Sequence, residues 1–310
     1  MKIRNPFILL SLACALLVLC SACGGRTASN ENKPVQFELP DIPVMFSPQE
    51  RGAFLAQHYW DKFDFTDTVS MWGAKMQAEQ IFADYLSIMW QIDLDKASTS
   101  IKKLLATAEA ANSVTFVRFI DLCEKYLYDP NSPMRNEELY IPVLEYIVAS
   151  PNIPELEKIR PQHRLDMAFK NRVGVRAANF TYTLASGATG NLYNIRADYT
   201  ILFFNNPGCP ACKSMREEIS SLPLLSEMIN SGQIKVLAVY PDEDLAEWRD
   251  YQPNIPATWI NAYDNNQILK RENIYDFKAI PALYLLSHDK HVLIKDALSP
   301  IQLEQYLASL

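Results

Sequence analysis

Cys209 and Cys212 are the residues of this chain whose type and spacing most clearly predict chemistry. They stand two residues apart and directly after the apolar run 199–204, whose composition is typical of a strand buried on both faces. The pattern that follows, over residues 210–230, predicts a helix, so both cysteines lie at its first turn. The amides of a first helical turn are unpaired and carry the positive end of the helix dipole, which favours a thiolate. Such a setting lowers a thiol pKa from about 8.5 into the range of about 3.5–7.5. The arrangement predicts thiol–disulfide exchange.

The place of each cysteine on the helix predicts its role. Cys209, at the open end, is expected to attack a substrate disulfide and to form the mixed disulfide. Cys212, deeper in the helix and better buried, is expected to resolve it. Pro210 falls at the first helical position, where a missing N–H costs nothing.

Two other interpretations of the cysteine pair remain open, a zinc site and a static structural disulfide. A zinc site needs four ligands, and no second cysteine pair stands at ligand spacing. The further candidate ligands are Cys123, His58, His163, His288 and His291. Cys123 lies in a predicted amphipathic helix, where a buried structural thiol is the simpler interpretation. The strand-to-helix placement favours the redox site over a metal site.

The first 35 residues predict export rather than folded structure. Lys2 and Arg4 precede the apolar run 7–20, which is too short for a comfortable bilayer span and therefore indicates a signal peptide. The run ends in a segment that resembles a lipobox, which implies cleavage after residue 22 and a lipid on Cys23. Residues 1–22 are thus the predicted lipoprotein signal peptide, and the polar residues 23–35 are a predicted tether.

The rest of the chain changes character near residue 172. Residues 36–170 contain little glycine and show helical periodicity, which predicts an all-helical domain. Residues 174–310 alternate strand and helix patterns and predict an α/β domain with a mixed central sheet. The fold class expected is therefore α+β multidomain. A formal net charge of −7 argues against nucleic-acid binding, and no pattern calls for a cofactor.

Residues 174–310 resemble a thioredoxin-like domain of the TlpA-like group. The resemblance rests on the cysteine pair and on Ile280-Pro281, which precedes the strand pattern 282–286. It implies that Pro281 is a cis-proline beside the redox pair and that the backbone of Ile280 contacts the substrate chain. The family has a tryptophan where this chain has Gly208 and a buried acid where it has Phe203. Solvent or Glu217 would have to replace the acid.

The resemblance implies a membrane-tethered, periplasm-facing thiol–disulfide oxidoreductase of the cell envelope that reduces protein disulfides. The expected partners are protein disulfide or dithiol substrates, the membrane through the lipid, and a membrane thiol-relay protein as electron donor. The helical part resembles an uncharacterised domain that precedes thioredoxin-like modules in some bacterial lipoproteins. The alternative is a lipoprotein binding module without catalysis, in which the thioredoxin-like fold is only a scaffold.

Overall fold

The structure is a computed structural model, and it describes residues 37–69, 72 and 75–310. The predicted signal peptide, tether and lipidated Cys23 lie outside these residues. Within the described ranges the first half of the chain is helical and the second half surrounds one sheet. The helices of the first half are α1 Pro48–His58, α2 Lys75–Met89, α3 Leu94–Ala111, α4 Ser113–Cys123, α5 Glu137–Ala149 and α6 Glu155–Phe169.

The second half forms a seven-stranded mixed sheet with the spatial order β2-β1-β5-β4-β3-β6-β7. Strands β3, β4 and β5 are parallel to one another, and the other pairings are antiparallel. The strands are β1 Thr181–Leu184, β2 Thr189–Asn191, β3 Tyr199–Phe204, β4 Ile234–Tyr240, β5 Ile260–Tyr263, β6 Ala282–Leu286 and β7 Val292–Ile294. The helices between and after them are α7 Pro210–Ser221, α8 Pro223–Asn230, α9 Leu245–Tyr251, α10 Ile268–Arg271 and α11 Pro300–Ala308. The predicted fold class, a helical part followed by an α/β part with a mixed sheet, is confirmed.

The central strand β3 is apolar throughout because both of its faces are buried. Ile201 and Phe203 point into the core on the side of α7, α8 and α11. Leu202 and Phe204 point into the core on the opposite face of the sheet. All four side chains are fully buried, which explains why the sequence shows a continuous apolar run rather than alternation.

The predicted single helix over residues 210–230 is wrong, because the chain breaks between α7 and α8. Leu222 is extended, with φ −64° and ψ 125°, and Pro223 starts the second helix. A proline ring disfavours the helical conformation in the residue before it and removes one N–H from the ladder. Pro223 thus ends α7 and occupies the first position of α8, where proline is well tolerated.

Two details of the sheet also differ from the sequence prediction. Gly187 and Gly190 predict a hairpin turn that they bracket, but the β1–β2 hairpin turns at Gly187, with φ +85°, whereas Gly190 lies inside β2 opposite Tyr182. Strand β5 was not predicted at all. Its four residues include the polar Asn261, and it pairs with β4 and β1 from a distance in sequence.

The described residues, from 37 onward, belong to one compact unit. The aromatic residues Tyr59, Trp60 and Phe65 are buried in the helical core, so their role there is packing. No helix in the described part of the chain is long and apolar enough to cross a membrane.

Candidate active site

Cys209 and Cys212 form a disulfide at the start of α7, with their Cα atoms 5.2 Å apart. Strand β3 ends at Phe204, and the following turn passes through Gly208, whose φ of +70° is a left-handed conformation. Cys209 is the N-cap residue of α7, and the amide of Cys212 donates a hydrogen bond to its Sγ at 3.1 Å. Pro210 is the first helical residue, as predicted. One sulfur therefore stands at the positive end of the helix.

The two sulfur atoms differ in access. Cys212 is 1% exposed and packs in the core beside Phe203, whereas Cys209 is only partly buried. An incoming thiolate or disulfide can reach the Cys209 sulfur from solvent, and the Cys212 sulfur is covered by protein. The predicted deeper burial of Cys212 is thus observed, and the attacking and resolving roles of the two cysteines remain predictions.

The segment before β6 completes the site from the other side. The peptide bond between Ile280 and Pro281 is cis, as the resemblance implies. The carbonyl oxygen of Ile280 lies 3.8 Å from the Sγ of Cys209. The backbone of Ile280, to which the resemblance assigns the substrate contact, is therefore next to the outer sulfur although it lies 71 residues away in sequence.

The position of the family's buried acid is filled by a hydrocarbon side chain. Phe203 is fully buried and packs edge-on against Trp259, with 6.2 Å between ring centroids. Glu217 does not replace the acid, because its side chain is 60% exposed and lies 3.7 Å from Arg216 on the outer side of α7. Gly208 has a φ that a tryptophan would adopt only with strain, which accounts for the second departure from the family pattern.

The described residues hold no group of three or more His, Cys, Asp or Glu side chains able to bind a metal ion. The candidate zinc ligands are dispersed. His58 pairs with Asp61, His291 pairs with Asp289, and His288 contacts the carbonyl oxygen of Ala197.

Cys123 is a free thiol and is 1% exposed. Burial raises the pKa of this thiol well above its usual value, so it remains protonated at neutral pH. Its surroundings are those of a structural residue in the helical core.

Two residues that hold the cis-proline segment in place, Phe277 and Lys278, show no signal in the sequence. Phe277 packs against Phe204 of β3 with 4.8 Å between ring centroids. Lys278 reaches the helical part, where its Nζ donates to Glu137 at 2.6 Å. Lys278 ends the short charged segment 270–278, and no local pattern in that segment indicates a partner 141 residues away.

Known proteins resemble both parts of the chain. Residues 20–171 match the family model described as a domain of unknown function, DUF5106. A thioredoxin-like protein from Bacteroides caccae is 47% identical, with a TM-score of 0.84, over 88% of this chain and 98% of that one. The C-terminal domain of an uncharacterized Bacteroides fragilis protein is 48% identical, with a TM-score of 0.44, over 44% of this chain and 98% of that one.

Other matches are more distant, and the curated proteins give none. The thioredoxin domain of a thiol-disulfide oxidoreductase from Bacteroides vulgatus is 14% identical, with a TM-score of 0.38, over 44% of this chain and 97% of that one. No curated protein matches this chain. The high identity and nearly complete coverage of the Bacteroides caccae protein, together with the Cys209–Cys212 pair beside a cis-proline, show that this chain belongs to the thioredoxin-like family.

Proposed function

We propose that this protein is a thiol–disulfide oxidoreductase that reduces disulfides of exported proteins through Cys209 and Cys212. The observation that carries the proposal is the pairing of an accessible sulfur at a helix N-terminus with the Ile280 carbonyl oxygen 3.8 Å away. A reactive sulfur needs a stabilised thiolate, and a protein substrate needs a backbone partner that aligns its own disulfide. Both requirements are met within one small surface.

The reaction uses two electrons and breaks one disulfide for each one it forms. In the reduced enzyme the Cys209 thiolate attacks one sulfur of the substrate disulfide, and the other substrate sulfur leaves as a thiolate that takes up a proton. The Cys212 thiol then gives up its proton and attacks the Cys209 sulfur. This step restores the disulfide between the two cysteines and releases the second substrate thiolate. The oxidised pair is the end state of that cycle, and an external dithiol must reduce it again.

The external dithiol is, in this proposal, a membrane thiol-relay protein, and the enzyme acts at the periplasmic face of a membrane. The support is the predicted signal peptide and the predicted lipid on Cys23, because together they would keep the redox site near such a donor. The partly exposed edge of Cys209 suits both a folded donor and a protein substrate, since each must bring its own sulfur to the same atom.

A binding module without turnover is the second candidate, and Phe203 favours it. A carboxylate at that position would accept and return the proton of the inner cysteine, whereas a buried phenylalanine can do neither. In a module of this kind the cysteine pair would remain oxidised and would serve only to close the first turn of α7.

Turnover with a protein disulfide separates the two candidates. We expect the purified chain without its first 35 residues to accelerate insulin reduction by dithiothreitol, and Cys209→Ser to abolish the acceleration. Redox-buffer titration with thiol trapping should place the pair near the potential of a reductant, about −270 mV, rather than near about −120 mV. If the protein left the rate of insulin reduction by dithiothreitol unchanged, and if its disulfide were not reduced in any redox buffer, the binding module would be established instead.

A further inference from the structure

A single lysine links the substrate-side loop of the redox site to the helical part of the molecule. Lys278 lies two residues before Ile280, and its side chain is only 10% exposed. Its ammonium donates to Glu137 at 2.6 Å, lies 3.2 Å from Asp276, and stands 5.0 Å from the ring centroid of Tyr128. Lys278 is the one cationic residue of the loop 276–281, and its ammonium contacts Glu137 and Tyr128 of the helical part.

Glu137 is itself held in place by several contacts. It lies in the first turn of α5, where a negative charge is favourable. Its second carboxylate oxygen accepts from Lys295, a side chain that is 8% exposed. The ammonium of Lys295 also donates to the carbonyl oxygens of Ala168 at 3.0 Å and Lys170 at 2.7 Å, at the end of α6. Lys295 therefore binds both Glu137 on α5 and the end of α6. These contacts hold the Glu137 carboxylate in one position.

Lys278 does not lie in a close-packed core. A cavity of about 400 Å³ borders the pair, and its lining includes Glu137, Lys278 and Asp296. Where packing is incomplete on one side, directed interactions contribute more to fixing a side chain. Burial lowers the pKa of the Lys278 ammonium, but the carboxylates of Glu137 and Asp276 outweigh that effect and raise the pKa above its usual value. The Lys278 ammonium therefore stays charged at neutral pH.

The loop is attached to the sheet as well as to the helices. Phe277 provides the contact with the sheet, and the ion pair of Lys278 provides the contact with α5. Phe277 packs on Phe204 in the core, and the adjacent Lys278 points away from the sheet to the helices. A loop held at one residue by the sheet and at the next by α5 presents Ile280 to Cys209 in one position.

We propose that Glu137 is a positioning residue of the redox site, which acts through Lys278 to hold the loop 276–281 beside Cys209. The proposal rests on the proposed function for its kinetic consequence and gives the helical part a role in that function. Removing the pair should loosen the backbone that aligns a protein substrate, while the cysteine pair at the start of α7 keeps its own surroundings.

The test compares Glu137→Gln with Glu138→Gln, the same substitution one residue further along α5. Glu138 pairs with Arg172, and neither belongs to the loop. In Glu137→Gln we expect the KM for insulin to rise about tenfold, the equivalent of one lost hydrogen bond, with kcat and the reduction potential unchanged. The rate with a small disulfide, 5,5′-dithiobis(2-nitrobenzoic acid), should also stay the same. Lys278→Met should reproduce this result, and Lys278→Arg should largely retain the native KM.

Hydrogen exchange gives a second readout that does not depend on turnover. Amides of residues 276–280 should exchange faster in Glu137→Gln and Lys278→Met than in the parent protein or in Glu138→Gln. Equal exchange in all four proteins, or an equal insulin KM in the two glutamine variants, would overturn the positioning role. If the parent protein did not reduce insulin but the variants showed the expected exchange pattern, the proposed function would be wrong. The attachment of the loop through Glu137 and Lys278 would still be established.

Discussion

At the scale of single residues, the site depends on the unequal exposure of two sulfur atoms. Cys209 caps α7 and is only partly buried, whereas Cys212 is buried in the same core cluster as Phe203. The first can receive a substrate, and the second can react only with its neighbour. The buried Phe203 cannot take up the proton of the inner thiol, so another group or solvent must accept it.

This asymmetry predicts the order of modification after reduction. With limiting iodoacetamide at neutral pH, we expect the label on Cys209 before any appears on Cys212, because the outer sulfur is both accessible and stabilised as a thiolate. Mass spectrometry of the tryptic peptides measures the order. The Cys212→Ser variant should accumulate a mixed disulfide with insulin chains, and Cys209→Ser should not. Preferential labelling of Cys212 would contradict the assigned roles.

The third cysteine of the described residues should be replaceable without loss of chemistry. Cys123 is buried among apolar side chains of the helical core. We expect Cys123→Ala to keep the insulin rate and the reduction potential of the parent. Cys123→Ser should unfold more easily than Cys123→Ala by about 1–3 kcal/mol, because its hydroxyl would need a partner in that core. Urea denaturation measures the difference, and a changed reduction potential in either variant would give Cys123 a redox role.

At the scale of elements, the sequence predicts those strands and helices that have a local residue pattern. It does not predict a strand that forms only because it pairs with distant strands. The strands β3 and β6 are predicted because each is a continuous apolar run, and the start of α7 is predicted from its proline and cysteines. Strand β5 is short and partly polar, so its identity comes from its partners β4 and β1 rather than from its own residues. The same holds for Glu137 and Lys278, whose contact joins distant segments by charge and leaves no periodic signal in either.

The β1–β2 hairpin yields an element-scale prediction at Gly190. Tyr182 lies directly across from Gly190, and a Cβ on the glycine would stand 2.3 Å from the tyrosine ring. The ring is 7% exposed and packs with Phe180, so it has little room to move. We expect Gly190→Ala to lower the free energy of unfolding by about 1–3 kcal/mol. Thr189→Ala, at an exposed neighbouring position, should change it little, and an equal effect of both substitutions would exclude the steric cause.

At the scale of the whole molecule, charged side chains join the helical and sheet parts. Arg135 donates to the carbonyl oxygen of Asp296 at 2.9 Å, and Lys295 reaches both Glu137 and the end of α6. Buried charges of this kind are costly to separate from their partners, since each would be left without compensation in a poorly solvated place. The interface therefore links the unfolding of one part to that of the other.

Native-state hydrogen exchange can test this linkage directly. In rising urea, the slowest amides of α3 and of β3 should open with the same free energy and the same dependence on denaturant, since neither part keeps its partners when the other unfolds. Lys295→Met should lower both free energies together, by about 1–3 kcal/mol, because the α6 carbonyl oxygens lose their donor while Glu137 keeps its pair with Lys278. Lys102→Met removes a half-exposed pair with Glu145 inside the helical part and should cost less than about 1 kcal/mol. If Lys295→Met lowered the opening free energy of the β3 amides but not that of the α3 amides, the helical part would be a separate folding unit. Its contact with the loop 276–281 would then position the loop without linking the unfolding of the two parts.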